Sequence, residues 1–96
     1  GLLGVGALRN LLDGSGEVKS MHTAQAVRGR GVAAMLLAHI FAVARGRGYR
    51  RIYLETGSSD AFQHVRRLYE QHGFVPCGPF GDYQYDPHSA YMCLEL

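Results

Sequence analysis

A short segment rich in arginine and glycine, Arg28-Gly29-Arg30-Gly31-Val32-Ala33, stands immediately before an apolar stretch with helical periodicity. The first backbone N–H groups of a helix have no intrahelical partners, and the helix dipole is positive at that end. Glycines at 29 and 31 let the backbone approach an anion closely, and Arg28 and Arg30 add positive charge. The segment therefore predicts a binding site for a phosphate group, and it suits a pyrophosphate.

The residues of this segment are also compatible with a plain turn or with other nucleotide motifs. The glycines could serve a tight turn between solvated arginines. A P-loop would require Gly-Lys-Ser/Thr at its end, which the chain lacks. Gly29-x-Gly31-x-x-Ala34 matches a dinucleotide fingerprint, but that fold needs further strand–helix units, for which a chain of 96 residues has no room.

The elements around this segment follow from hydrophobic periodicity and turn residues. We predict a strand over Leu2–Leu8, a turn over Asp13–Gly16 and a returning strand over Glu17–Thr23, which places Glu17, Met21 and Thr23 on one face. A mostly buried helix over Val32–Arg45 follows, and Gly46 and Gly48 stand where a left-handed cap would end it.

The second half of the chain predicts a strand over Tyr49–Thr56 and then a second helix. Ser59 or Asp60 would cap that helix, with Gln63 answering in a capping box, and Gly73 would end it. The buried stripe of this helix would consist of Ala61, Val65, Leu68 and Tyr69. Phe74 and Val75 would start a short strand that Pro76 interrupts, and Ala90–Leu96 would form the last strand. The order ββαβαββ predicts an α/β fold with a mixed central sheet.

Composition excludes several classes of function. With 47% apolar and 19% charged residues, the 96-residue chain is expected to form one compact soluble domain. A net charge of +2, with Tyr49 as the one aromatic near the arginine-rich turns, argues against nucleic-acid binding. The longest apolar stretch, Val32–Ala44, is shorter than the ~20 residues of a membrane span.

Cysteine and histidine usage predicts no metal centre. Cys77 and Cys93 lack metal-ligand spacing, as do the five histidines, so reduced thiols in a cytoplasmic protein are expected. The chain begins with Gly1 rather than Met, which suggests a processed or truncated product.

Three segments, in the right order, resemble the GNAT superfamily of acetyltransferases. Arg28-x-x-Gly31-x-Ala33 matches the Q/R-x-x-G-x-G/A signature by which these enzymes bind the pyrophosphate of acetyl-CoA. Glu17–Thr23 resembles the central strand before that loop, and Leu68-Tyr69-Glu70-x-x-Gly73-Phe74 resembles the helix-to-strand segment that carries the catalytic tyrosine. The resemblance spans residues 3–96, without the family's first strand and two helices, so we expect a partial GNAT domain over residues 1–96. Phe62 stands where many members have a cofactor-binding asparagine.

The resemblance implies acetyl-CoA as co-substrate, no metal, and transfer of the acetyl group to a primary amine of a small molecule or peptide. Tyr69 would protonate the departing thiolate, and Glu17 would take the amine proton, with Glu55 as the competing base. Both Tyr69 and the carboxylates could instead be ordinary core or surface residues. The implied cofactor-binding residues are Met21, His22, Thr23, Arg28, Gly29, Arg30, Gly31, Val32 and Ala33.

The resemblance also bears on partners and on a rival function. The loop around Phe80, Gly81, Asp82 and Tyr83 would border the acceptor site, where its aromatic side chains would shape specificity. Family members are often dimers, so we expect a homodimer. The rival function is a noncatalytic acyl-CoA-binding or assembly module, which turnover would distinguish from an enzyme.

Overall fold

The computed structural model describes residues 8–19 and 30–96, apart from the side chains of 30–33. The elements are β1 (Leu8–Asn10), β2 (Ser15–Val18), α1 (Arg30–Gly46), β3 (Arg51–Gly57), a 3-10 turn (Asp60–Phe62), α2 (Gln63–Gln71), β4 (Val75–Cys77) and β5 (Ser89–Glu95). The predicted order ββαβαββ is confirmed.

The strands form one sheet in the order β1-β2-β3-β5-β4. Strands β2 and β3 are parallel, and the other three neighbouring pairs are antiparallel, which confirms the predicted mixed sheet. The β2–β3 register runs from Ser15 opposite Arg51 to Val18 opposite Leu54. Helix α1 makes the crossover between these two parallel strands, as such a connection requires.

One face of the sheet packs against the two helices. Because Leu37, Ile40 and Ala44 recur at helical spacing, α1 presents one apolar stripe, and all three are at most 1% exposed. These three residues belong to a buried cluster that also contains side chains of the sheet and of α2. Its other members are Leu8, Val18, Ile52, Leu54, Val65, Tyr69, Phe74 and Met92. This cluster is the core.

The opposite face carries a different set of side chains, because successive residues of a strand alternate between faces. Arg9, Glu17 and Tyr53 stand in register across β1, β2 and β3 on that face. The loop between β4 and β5 covers part of it: the Phe80 ring stacks on Tyr53 with ring centroids 4.6 Å apart, and Tyr83 lies edge-on to Phe80 at 5.1 Å.

The first hairpin differs from the prediction. Ser15 and Gly16 belong to β2 rather than to the turn, because the Asp13 carboxylate accepts hydrogen bonds from the backbone N–H and the hydroxyl of Ser15 and starts the strand there. Of the predicted strand Leu2–Leu8 only Leu8 is described, and of Glu17–Thr23 only residues 17–19; the rest lies outside the described residues.

Helix α1 ends at the predicted glycines, but only one of them, Gly48, adopts the left-handed conformation. Gly46 is the last helical residue, and Gly48 takes the left-handed conformation with φ +80°. The N–H groups of Tyr49 and Gly48 donate to the carbonyls of Ala44 and Arg45 at 3.0 Å, a Schellman motif. That motif occupies Tyr49, so the strand predicted to begin there begins at Arg51.

The predicted capping box of the second helix is wrong. Neither Ser59 nor Phe62, the residues that precede the 3-10 turn and α2, makes a side-chain capping hydrogen bond. Instead, the Arg66 guanidinium donates to the carbonyls of Gly57 and Ser59 at 2.7 and 3.0 Å and holds the entry to the helix. Ala61 is exposed in the 3-10 turn, whereas Val65 and Tyr69 are buried as predicted.

The closing segment differs from the prediction at Pro76. Gly73, with φ +101°, follows α2 as predicted, but β4 runs through Pro76, which pairs in register with Met92. A proline can lie inside this strand because β4 is the outermost strand next to β5, where no further ladder bond is needed. The last strand is Ser89–Glu95, one residue earlier than predicted.

Candidate active site

The predicted cofactor loop lies mostly beyond the described residues. Met21, His22, Thr23, Arg28 and Gly29 fall outside them, whereas Arg30, Gly31, Val32 and Ala33 form the first turn of α1. The N–H groups of a first helical turn have no intrahelical acceptors, and this turn contains no acidic residue that would repel an anion. The backbone of residues 30–33 is thus suited to bind a phosphate group. The helix begins at Arg30, two residues before the predicted start at Val32.

Tyr69 is buried in the core on the helix side of the sheet. Its side chain lies in α2, is 3% exposed and packs edge-on to Phe74 with ring centroids 5.4 Å apart. Burial raises the pKa of Tyr69 to about 12, because desolvation disfavours the phenolate. The phenol therefore stays protonated at neutral pH, and the raised pKa also makes it a weaker acid than an exposed tyrosine.

Glu17 is a buried carboxylate on the other face of the sheet. The residue is 1% exposed in β2, and its Oε2 accepts a hydrogen bond from the Tyr83 hydroxyl at 2.8 Å. Lys19 Nζ lies 3.8 Å from Oε2 and Arg9 Nη1 lies 3.9 Å from Oε1, both too far for a hydrogen bond. Within residues 8–19 and 30–96, Oε1 has no hydrogen-bond partner. One oxygen of this buried carboxylate is therefore unpaired within the described residues.

A cavity of about 440 Å³ opens beside this carboxylate. Its lining includes Arg9, Leu12, Glu17, Lys19, Asp82 and Tyr83. The hairpin β1–β2 supplies one wall and the loop between β4 and β5 supplies the other, so residues far apart in the chain meet at one carboxylate. Its volume is in the range of small-molecule sites.

Tyr83 contributes more to the site than the sequence indicated. It was expected only to border the acceptor site, whereas its hydroxyl holds Glu17 directly. Burial raises the pKa of Tyr83 to about 12, and the hydrogen bond to Glu17 adds to the shift. The two residues are 66 positions apart, so no local pattern could have shown this contact.

Glu55, the competing base, lies outside the cavity in the described structure. It stands on β3 beyond the last described β2–β3 pair, and its Oε2 accepts a hydrogen bond from the Ser89 hydroxyl at 2.7 Å. Glu55 does not line the cavity. The geometry thus favours Glu17 over Glu55 as a group that can meet a ligand there.

Glu17 and Tyr69 lie on opposite faces of the sheet. Val18, the neighbour of Glu17, belongs to the buried cluster that contains Tyr69, and strand alternation turns Glu17 the other way. The described β2–β3 register stops at Val18 opposite Leu54, whereas β3 continues to Gly57 beside β5.

Side chains that could bind a metal ion are dispersed in the described structure. Across the described ranges, no three His, Cys, Asp or Glu side chains are grouped as metal ligands would be. In the same part of the chain, no helix combines the length and the apolar character needed to cross a membrane.

Known proteins resemble this chain over most of its length. It is 48% identical over 95 residues to the uncharacterized N-acetyltransferase YedL of Escherichia coli and 47% identical over 95 residues to the uncharacterized N-acetyltransferase YsnE of Bacillus subtilis. These matches cover 99% of this chain but 60% and 63% of the two relatives, so the chain spans less than two thirds of their length.

A solved structure shows the same fold. The IAA acetyltransferase from Bacillus cereus superposes with a TM-score of 0.64 at 21% identity, over 93% of this chain and 67% of that one. The family profile described as the acetyltransferase (GNAT) family matches residues 1–74. With this match over more than half of its length, the chain belongs to the acetyltransferase (GNAT) family.

Proposed function

We propose that the protein is an N-acetyltransferase that moves the acetyl group of acetyl-CoA to a primary amine of a small molecule or peptide by direct attack. The observation that carries this proposal is the Glu17 carboxylate, which is buried beside a cavity and holds one oxygen without a hydrogen-bond partner in the described residues. A buried carboxylate in that position is suited to accept a proton from a bound amine.

Acetyl-CoA would bind at the carboxyl end of β2, where α1 begins. The N–H groups of Gly29–Ala33, together with Arg28 and Arg30, would hold the pyrophosphate. The backbone of Met21, His22 and Thr23 would hold the thioester and the pantetheine arm. Family membership supports this assignment, and the N–H groups of the first turn of α1 have no intrahelical acceptors.

In the reaction, Glu17 would take the proton of the amine directly or through one water molecule. The neutral nitrogen attacks the thioester carbon, the carbonyl π electrons move to oxygen, and a tetrahedral intermediate forms. When this intermediate collapses, the carbon–sulfur bond breaks and the CoA thiolate leaves. The nitrogen of the intermediate would release its second proton to solvent, and Tyr69, which is protonated at neutral pH, would give its proton to the thiolate and regain one from solvent.

The positions of the two residues on opposite faces agree with these separate roles. The amine would approach Glu17 from the cavity, and the sulfur would lie toward the helix side, where Tyr69 is. The thioester would then lie beside the end of β2, next to the pair Val18–Leu54. We also propose a cytoplasmic location and a homodimer, on the basis of the family alone.

Calorimetric titration with acetyl-CoA, followed by a thiol-release assay with a panel of amines, tests the proposal. We expect the 96-residue chain to bind acetyl-CoA, and bulky substitutions that keep the phosphate away from the backbone, Gly29→Leu and Gly31→Leu, to abolish binding. Glu17→Gln should retain binding and lower kcat by about 100-fold or more. Glu70→Gln, an exposed carboxylate in α2, is the matched control.

The outcomes separate the proposed function from its rival. Binding with no amine acetylated would identify a noncatalytic acyl-CoA-binding module. Absence of binding by the parent chain would overturn the cofactor assignment for this chain. Full activity in Glu17→Gln would show that Glu17 is not the general base, and Glu55 would be the next candidate.

A further inference from the structure

We infer that the acceptor is a zwitterionic amine, a molecule that carries an anionic group such as a carboxylate or phosphonate beside its primary amine. The inference rests on the proposed function and specifies its substrate class. It follows from the charges that surround the cavity beside Glu17.

The Glu17 carboxylate beside the cavity can accept a hydrogen bond from a ligand. Glu17 is almost fully buried, and the Tyr83 hydroxyl fixes its Oε2 at 2.8 Å. Its Oε1 has no hydrogen-bond donor in the described structure, and a buried acceptor without a donor is costly. An amine N–H that enters the cavity would satisfy this oxygen.

The rim of the cavity carries the opposite charge. The side chains of Arg9 and Lys19 are 56% and 41% exposed, and both line the cavity. At 3.9 and 3.8 Å from Glu17 they balance its charge without donating hydrogen bonds to it. Their donors therefore remain available for a ligand, and two cations on one rim are suited to hold an anionic group.

The charge balance of the cavity distinguishes a zwitterion from a simple amine. Arg9 and Lys19 oppose Glu17 and Asp82, so the lining is neutral overall but separated in sign. A simple alkylamine would satisfy only the carboxylate and leave the remaining donors of Arg9 and Lys19 to solvent. A zwitterion places its amine at Glu17 and its anionic group at Arg9 and Lys19, so both charges of the ligand have a partner.

The experiment compares acceptors that differ only in the anionic group. Acetyl-CoA turnover is measured with a panel of L-amino acids, each beside its α-amide and its decarboxylated amine, and with β-alanine beside 2-aminoethylphosphonate. We expect the better acids to exceed their amides by about 10-fold or more in kcat/KM, mainly through KM. The KM of the acids should also rise with salt, because part of their binding is ionic. The last pair of acceptors shows whether a carboxylate or a phosphonate is held better.

The variants Arg9→Gln and Lys19→Gln, combined, should raise KM for the acids and reduce the preference for acids over amides to less than about 3-fold. Both side chains are half exposed, so the fold should be unchanged by circular dichroism. Arg67→Gln, an arginine on α2 outside the cavity lining, is the matched control and should keep the preference.

Two results would contradict the inference about the acceptor while the proposed acetyltransferase function would still hold. Amides or simple amines acetylated as fast as the acids would show that the anionic group is not recognised. A preference for acids that survives loss of Arg9 and Lys19 would place the anion elsewhere. If no amine of any class is acetylated, the proposed function itself fails.

Discussion

Tyr69 and Glu17 show how burial assigns different chemistry to two side chains. Tyr69 lies among apolar side chains, and desolvation raises its pKa to about 12, which keeps the phenol neutral. Glu17 is equally buried but has a hydroxyl donor and two cations close by. The two side chains therefore lie in different surroundings within one small domain: Tyr69 among apolar groups and Glu17 beside a hydroxyl and two cations.

The raised pKa of Tyr69 predicts a loss of stability at high pH. An unfolded tyrosine has a pKa near 10, so the unfolded chain releases this proton first as the pH rises. The contribution to the free energy of unfolding is complete below about pH 10 and is lost as the pH rises toward 12, on the order of 1–3 kcal/mol. Tyr69→Phe should lose less stability than the parent between about pH 10 and pH 12 in urea denaturation.

Tyr85→Phe is the control for this prediction, because Tyr85 is 77% exposed. It should follow the parent at every pH. Some decline should persist in Tyr69→Phe, since the pKa of Tyr83 is also raised to about 12. An unchanged pH profile in Tyr69→Phe would mean that Tyr69 titrates in the folded protein much as it does when unfolded.

At the scale of elements, the β1–β2 hairpin shapes the mouth of the cavity. Leu12 has φ +69°, a left-handed conformation that is unfavourable for leucine, and it is 86% exposed at the cavity. Its N–H donates a hydrogen bond to the side-chain oxygen of Asn10 at 2.8 Å, which helps to hold the conformation. The strained leucine is consistent with contact to a ligand rather than with packing.

Leu12→Asn should therefore stabilise the protein while it impairs function. Asparagine tolerates the left-handed region, and little buried apolar surface is lost, so the free energy of unfolding should rise by about 0.5–1 kcal/mol. The KM for acceptors with apolar side chains should increase. Urea denaturation and acceptor kinetics measure the two effects, and Leu11→Asn, a residue without positive φ, should not stabilise.

The sequence predicted most elements of this fold because their signals are local. The spacing of Val32, Leu36, Ile40 and Val43 indicated α1, and Gly48 and Gly73 indicated where the two helices end. The buried stripe of α1 is Leu37, Ile40 and Ala44, so the predicted stripe was shifted around the helix. The errors in the predicted helix caps came from tertiary contacts, which a local sequence pattern does not show. Arg66 replaces the expected capping box through its hydrogen bonds to Gly57 and Ser59.

The candidate site was predictable to a similar extent. Glu17 was identified by resemblance, and the structure adds the cavity beside it. The role of Tyr83 depends on a tertiary contact with Glu17, and the pairing of Arg9 with Glu17 depends on strand register. Both required the folded chain, since register and loop placement are set by packing across the whole sheet.

At the scale of the molecule, the sheet has one face covered by helices and one that carries the cavity. Its described outer strand on the β5 side is β4, and outer strands can pair with other copies. Pro76 has no N–H to offer in the middle of β4, and Val75 beside it is 55% exposed. The proline thus protects an apolar edge from open-ended association.

Pro76→Thr should remove this protection. Threonine restores an outward N–H and favours strands, so the edge beside Val75 becomes competent to pair. Sedimentation velocity over a range of concentrations should show species larger than a dimer in the variant, while the parent stops at the proposed homodimer. Pro79→Thr, in the loop after β4, is the matched control. If Pro76→Thr sediments like the parent, another feature of the edge prevents pairing, and the loop that follows β4 is the next element to test.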